Sequence, residues 1–477
     1  MPRKLFRDIS ASTIQVIISQ LLGLVLFLLT SRWLGKELFG ELNWSLAIAT
    51  LCVSVATMGM ELIVMRRIAR GDDIRTITGI YTWHLIFSGG SILLLLVLAA
   101  LIAPQTFSVH FLFPAILASQ LISLFTSPFK QITNGIRAFD HLALLSVISN
   151  AVKVSLLIIA QALDMLSATA IAWIYIIAAI VETITGLYLV TRRMGLRLFP
   201  LHTNPEAYFS LVRESLPQFG VTFFNIILAR FDWILLGIFT TTVITAEYSF
   251  AYRVFELSRI PLLILSPVLM PVFIAIFRND AVLSARQHLK LDLLFRIEMA
   301  VSVLLPILLI SCWTPLMESL TLHKYGGVNE QIFIVLSCCI PLQFATDYYW
   351  NLCFAQNQMK LTFLVAIGSG LLNISLNVLL IPIYAGTGAA IAYLSSFVAQ
   401  LMLFYLNTRE HQVKPNLQLL FKTFLCAAAA LLLSRQLVHD PVVSVTVALL
   451  LYFTFSIITG LVVLKKIKPA IRFFLIR

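Results

Sequence analysis

The sequence predicts an all-α membrane protein with about fourteen transmembrane helices, and three observations carry that prediction. Of its 477 residues, 60% are hydrophobic and only 12% are charged, whereas soluble domains are nearer half apolar and a quarter charged. Apolar runs close to the roughly 20 residues that a bilayer core requires recur from end to end. The basic residues cluster in alternate inter-span segments, as the cytoplasmic bias of Lys and Arg demands. A water-soluble fold has too few charges here to cover so much apolar surface. Nor is any loop long enough for a separate globular domain, the largest lying around residues 191–214.

In chain order, the spans fall near 11–31, 42–63, 79–103, 108–128, 142–163, 169–190, 215–239, 247–277, 293–313, 329–349, 361–382, 386–406, 417–437 and 441–464. The first run is too long for a secretory signal, and no small-residue cleavage site precedes Arg32 and Trp33. It is expected to stay in the mature chain. With the N-terminus inside, the cytoplasmic segments hold 26 of the 34 Lys and Arg residues, from Arg3, Lys4 and Arg7 through to Lys465, Lys466, Lys468, Arg472 and Arg477. The opposite face has Arg32, Lys36, Lys324 and Arg435, and four more basic residues fall within spans. A wrong span number would scramble this alternation. It therefore supports fourteen crossings with both termini cytoplasmic, and it makes the net charge of +12 a topology signal with no call for nucleic acid.

Six cysteines (Cys52, Cys312, Cys338, Cys339, Cys353 and Cys426) lie in or beside apolar runs, with no CxxC pair and no His at zinc spacing. Buried thiols are expected, with no disulfide, metal site or cofactor. Two faint internal echoes suggest a duplication. Arg7-Asp8 through Glu41 and Trp44 parallels Arg213-Glu214 through Glu247 and Phe250, and residues 126–157 parallel 346–377. The expected organisation is two six-helix lobes, 1–200 with spans 1–6 and 201–410 with spans 7–12. Residues 411–477 add two helices and a basic tail. Repeats with an even number of spans keep one orientation, a transporter arrangement with the substrate site between the lobes.

Charge within hydrocarbon costs at least about 2.5 kcal/mol and normally faces an interior or a cavity. The set best placed for function is Lys153 in span 5, Arg230 and Asp232 in span 7, and Arg253, Glu256 and Arg259 in span 8. Steps of three residues put the last three along one helix flank. Four cations against two anions fit a water-filled, net-positive chamber for an anionic ligand. The alternative is that Asp232 and Glu256 brace the helices while the extra cations snorkel to an interface. His84, Glu182 and Asp347 are also intramembrane, and either belong to a proton or ion route or are hydrogen-bonded packing residues. Span 8 carries Pro261, Pro267 and Pro271, which remove backbone donors and favour a kink or break. No activated nucleophile, phosphate loop or carboxylate cluster is visible, so an enzyme is not expected.

One stretch is specific. From Asn373 and Asn377 through Pro382, Gly386 and Gly388 to Ala392, it resembles the N-x-x-x-N-x-x-x-I-P…G-x-x-G-A-A-x-A signature of the polysaccharide-exporter branch of the MATE-like flippases. Asn373 and Asn377 lie one turn apart, an amide stripe able to bond across helices. Pro382 would stop the helix, with Gly386 and Gly388 permitting tight re-entry. Arg32, Gly35 and Gly40 match the family's R-x-L-G-x-x-x-[FY]-G after the first helix. Pro217, Arg230, Asp232, Gly237, Tyr248 and Ala251 follow its pattern around the seventh, although Ala246 replaces a common glycine. The resemblance covers roughly residues 5–465.

It implies a MATE-like fold and a Wzx-type flippase for undecaprenyl-diphosphate-linked oligosaccharide in O-antigen, lipopolysaccharide or capsule assembly at the bacterial inner membrane. The implied partners are that lipid-linked glycan, membrane lipids, H+ or Na+ as coupling ion, and a polymerase with other glycan-assembly proteins. Lys153, Arg230, Arg253 and Arg259 would meet the headgroup or acidic sugars. Competing readings are a lipid II-type flippase, a drug exporter of the same superfamily, or a polytopic O-antigen polymerase or ligase. The short outer loops oppose the polymerase, and the positive balance opposes an exporter of cationic drugs.

Overall fold

The computed structural model describes residues 2–102, 111–136, 138–193, 205–277, 284–356, 358–407, 416–438 and 440–461. The basic tail from Lys465 to Arg477 lies outside these residues, as do Arg137, Arg197, Arg278, Arg409 and Lys414. The described chain is helical, with no strand among the described residues, and divides into two units, 1–246 and 247–477.

The first unit contains α1 (Pro2–Trp33), α2 (Lys36–Thr57), α3 (Met60–Arg70), α4 (Ile74–Ile102), α5 (Leu112–Leu124), α6 (Ser127–Gly135), α7 (Phe139–Ala162), α8 (Ala168–Tyr188) and α9 (Pro205–Phe239). Helix α1 packs on α7, α5 on α8, and α9 along α2 and α3. Two glycines allow the close approach around α2. A Cβ on Gly40 would run into the Thr242 carbonyl, and one on Gly237 into the Trp44 indole. Trp44 then donates from Nε1 to the Ile234 carbonyl at 3.2 Å, across the same contact. At the far end of α3, Glu214 accepts from Arg66, and from Arg67 Nε at 2.8 Å.

Helix α10 (Thr242–Leu257) crosses the boundary. The second unit continues with α11 (Ile260–Phe277), α12 (Ala285–Ser302), α13 (Leu304–Ser311), α14 (Trp313–Thr321), α15 (Glu330–Ala355), α16 (Met359–Asn407), α17 (Leu417–Leu437) and α18 (Pro441–Ile458). Helix α15 packs on α11, α12 and α16, while α17 and α18 pair and contact α12 and α13. Stacked rings occupy the core, with Phe250 on Tyr325 at 4.3 Å and Trp313 on Phe333 at 3.8 Å between centroids.

Eleven helical segments among the described residues are long and apolar enough to cross a membrane. On α4, Leu94, Leu95, Leu101 and Ile102 are 60–83% exposed. Such a face is tolerated where its neighbours are acyl chains, and a helix satisfies its own backbone there. The expected fourteen differ from eleven at three places. Helix α1 contributes the shorter apolar stretch Ile18–Trp33. The eighth expected span is two helices interrupted at Ser258 and Arg259, just before Pro261, which lacks the N–H that would bond the Leu257 carbonyl and whose ring crowds it. The eleventh and twelfth share the 49 residues of α16, broken by non-helical backbone at Ala385 (φ 49°, ψ −129°).

Other boundaries move for local reasons. The second span starts earlier, at Lys36, and ends at Thr57, where Met58 and Gly59 turn left-handed. A Cβ on Gly59 would strike the Phe219 backbone nitrogen, so glycine serves both the turn and the contact. Pro382 does not stop its helix as expected. The chain continues through Ile383 and Tyr384 and breaks at Ala385, because proline forbids its own backbone bond and clashes backward, leaving the residues after it free to stay helical.

Candidate functional site

Helices α6, α7 and α8 bring three charges of the first unit together. Lys153 on α7 holds its Nζ 4.9 Å from the centre of the Tyr175 ring on α8. Two turns further along α8, the buried Glu182 carboxylate pairs with Lys130 Nζ at 2.6 Å and accepts from Ser123 at 3.3 Å. Both Glu182 and Lys130 act electrostatically on Lys153. The group therefore carries one surplus positive charge, and its cation rests on an aromatic face, a favourable seat for a desolvated ammonium. Sequence reasoning counted Lys130 among cytoplasmic bases and missed it as the partner of Glu182. The long lysine stem is what lets a group near a membrane face reach inward.

Helix α9 carries the next pair. Arg230 lies with its guanidinium 4.5 Å from the centre of the Trp233 ring, and Asp232 is 1% exposed, its Oδ1 accepting from the Trp233 backbone N–H at 2.9 Å. In the second unit, Arg253 and Glu256 on α10 form an ion pair at 2.7 Å. Arg259 does not continue their flank. It sits in the turn after α10, with its Nε buried and without a hydrogen-bond partner among the described residues.

The remaining predicted positions divide by role. His84 has a partner at each ring nitrogen, the Ala56 carbonyl at 2.9 Å from Nε2 and the Tyr208 hydroxyl at 3.1 Å from Nδ1. That geometry suits an imidazole tying α4 to α2 and α9. Asp347 on α15 accepts from Asn351 at 2.9 Å. Asn373 and Asn377, both fully buried, do not bond across helices as expected: Asn377 Nδ2 donates to Asn373 Oδ1 at 2.9 Å within α16. One turn of separation makes each amide the other's nearest partner. Arg32 lies in the last turn of α1, and Gly35 caps α2 with extended backbone. Gly386 packs under Ile332, and Gly388 meets the Leu380 carbonyl.

Glu298 escaped the sequence reading. It is 1% exposed on α12, and neither carboxylate oxygen has a hydrogen-bond partner among the described residues. The signal lay in its position five residues inside the expected ninth span, 293–313. Among the described residues no three His, Cys, Asp or Glu side chains converge as a metal site would need.

Comparison with known proteins fits this architecture. Residues 5–277 match the polysaccharide biosynthesis protein family. A structure titled "Lipid II flippase MurJ, inward closed conformation" superposes with a TM-score of 0.71 at 15% identity, covering 94% of this chain and 98% of that one. An inward-facing multidrug resistance MATE family transporter of the MOP superfamily gives 0.64 at 14% identity, over 82% and 96%. A MOP superfamily transporter from Pyrococcus furiosus, titled for the reversed polarity of its binding pocket, gives 0.51 at 15% identity, over 83% and 92%. No curated protein sequence matches. The fold is thus the one shared by MurJ and MATE transporters, in a multi-pass membrane protein. With more than half of its length matched, the chain belongs to the polysaccharide biosynthesis protein family.

Proposed function

We propose that the protein moves an undecaprenyl-diphosphate-linked oligosaccharide across the bacterial inner membrane, for O-antigen, capsule or exopolysaccharide assembly. It does so by alternating access and makes or breaks no covalent bond. The observation that carries this reading is membership of the polysaccharide biosynthesis family by a chain that keeps cations inside its membrane helices. Lys153, Arg230, Arg253 and Arg259 supply the positive charge that a diphosphate and acidic sugars require. Charge-assisted hydrogen bonds to phosphate are strong, while the prenyl tail stays among lipid chains. Residues 1–200 and 201–410 act as two lobes that alternate, residues 411–477 add two helices to give fourteen crossings, and both termini lie in the cytoplasm, as the basic residues indicate. Polymerase and other assembly proteins would receive the cargo outside.

The likeness to a structure titled as a lipid II flippase favours a second cargo of the same chemical kind, a lipid-linked saccharide. Deletion and complementation separate the readings. Loss of surface glycan with normal growth supports O-antigen or capsule export, and loss of growth supports lipid II. In the complemented deletion, Lys153→Ala and Arg230→Ala together abolish surface glycan while the protein still inserts. Normal glycan in that double variant contradicts the cationic chamber.

A further inference from the structure

Glu298 lies on α12 with both carboxylate oxygens buried and without a hydrogen-bond partner among the described residues. An ionised carboxylate in that position is costly unless something neutralises it. Helices α11 and α13 bring no ionisable residue. From α15 come Asp347, Tyr348 and Tyr349, all coupled electrostatically to Glu298. The Tyr348 hydroxyl is committed to the Leu291 carbonyl at 2.9 Å. On α12 itself, Arg296 pairs with Asp292 at 2.7 Å and donates to the Gly460 carbonyl at 2.7 Å. From α17, Lys422 donates to the Thr459 carbonyl at 3.0 Å.

Among the described residues, Arg296 and Lys422 are thus engaged with other acceptors, and a second carboxylate, Asp347, acts electrostatically on Glu298. Asp347 accepts from the Asn351 amide at 2.9 Å, whereas neither Glu298 oxygen has a donor among the described residues. A buried carboxylate without a donor holds a proton more cheaply than a charge. We propose that Glu298 is a reversible proton-binding site in the second unit, and that proton movement through it drives the translocation proposed above. A proton requires only an oxygen lone pair, whereas a hard metal cation requires several converging oxygens, and no acidic triad meets there.

Dicyclohexylcarbodiimide, which attacks protonated carboxyl groups in apolar surroundings, tests the site on the full chain in proteoliposomes, read by peptide mass spectrometry. Glu298 is expected to be modified, with the modified fraction falling roughly fivefold or more as pH is raised. Sodium and choline chloride should leave it equal, and Asp347→Asn should displace the pH profile. Absence of the adduct, modification independent of pH, or protection by sodium at fixed pH overturns the proton site. Glu298→Gln should lower glycan export at least about tenfold, about 1.4 kcal/mol, and normal export by that variant overturns the coupling role. The labelling depends on no cargo, so a failed site and a failed translocation assay are told apart.

Discussion

At Gly40 and Gly237 the fold leaves no room for a side chain, and that is where residue-scale disruption is easiest to provoke. Gly237→Val pushes two methyls into the Trp44 ring, an overpacking expected to cost about 1–3 kcal/mol. Its detergent-solubilised melting temperature should fall clearly below that of Gly90→Val, since Gly90 faces open space. The same scale shows what apolar context reveals and what it hides. Lys153, Arg230, Asp232 and Glu182 stand out in the sequence as charges inside hydrophobic runs. Their partners do not, because Lys130 reaches Glu182 over 52 positions, and Tyr175 and Trp233 receive cations on ring faces that no spacing rule marks. Glu298 went unnoticed near a span's basic end, where an acid looks like part of a solvated rim.

At the scale of elements, breaks decide the outcome. Ala385 holds φ 49° and ψ −129° inside α16, a region that glycine occupies freely and alanine only under strain of about 1–3 kcal/mol. Ala385→Gly should therefore raise the melting temperature and leave insertion unchanged. A lower value would show that the break is held by other forces. Helix α4 begins at a cap: Asp73 Oδ2 accepts from the Thr76 N–H at 3.1 Å and its hydroxyl at 2.5 Å. Those hydrogen bonds, the Thr76 hydroxyl first, lower the Asp73 carboxyl below its ordinary range. Its contribution is present above the unfolded carboxylate pKa and is lost as pH falls through the lowered one. Asp73→Ala should thus destabilise at neutral pH, by about 0.5–2 kcal/mol, and the gap should narrow in acid. The interruption before Pro261 could be read from the sequence. The left-handed turn at Met58 could not, since it depends on the approach of α9 to Gly59.

For the whole molecule, hydropathy and basic-residue placement foretold an all-helical membrane protein, because a bilayer imposes length and charge rules on every span. The motif around Asn373 to Ala392 foretold its family. Where side chains meet was not legible, since contacts between distant helices follow from packing geometry that periodicity does not encode. Transport of an anionic glycolipid is the claim on which the account rests, and reconstitution tests it directly. Purified protein in proteoliposomes should carry a polyprenyl-diphosphate oligosaccharide between leaflets, and Lys153→Gln with Arg230→Gln should slow that movement by at least about tenfold, or about 1.4 kcal/mol, without loss of folded protein. Translocation by the double variant at the unaltered protein's rate, or none by the unaltered protein, would contradict it.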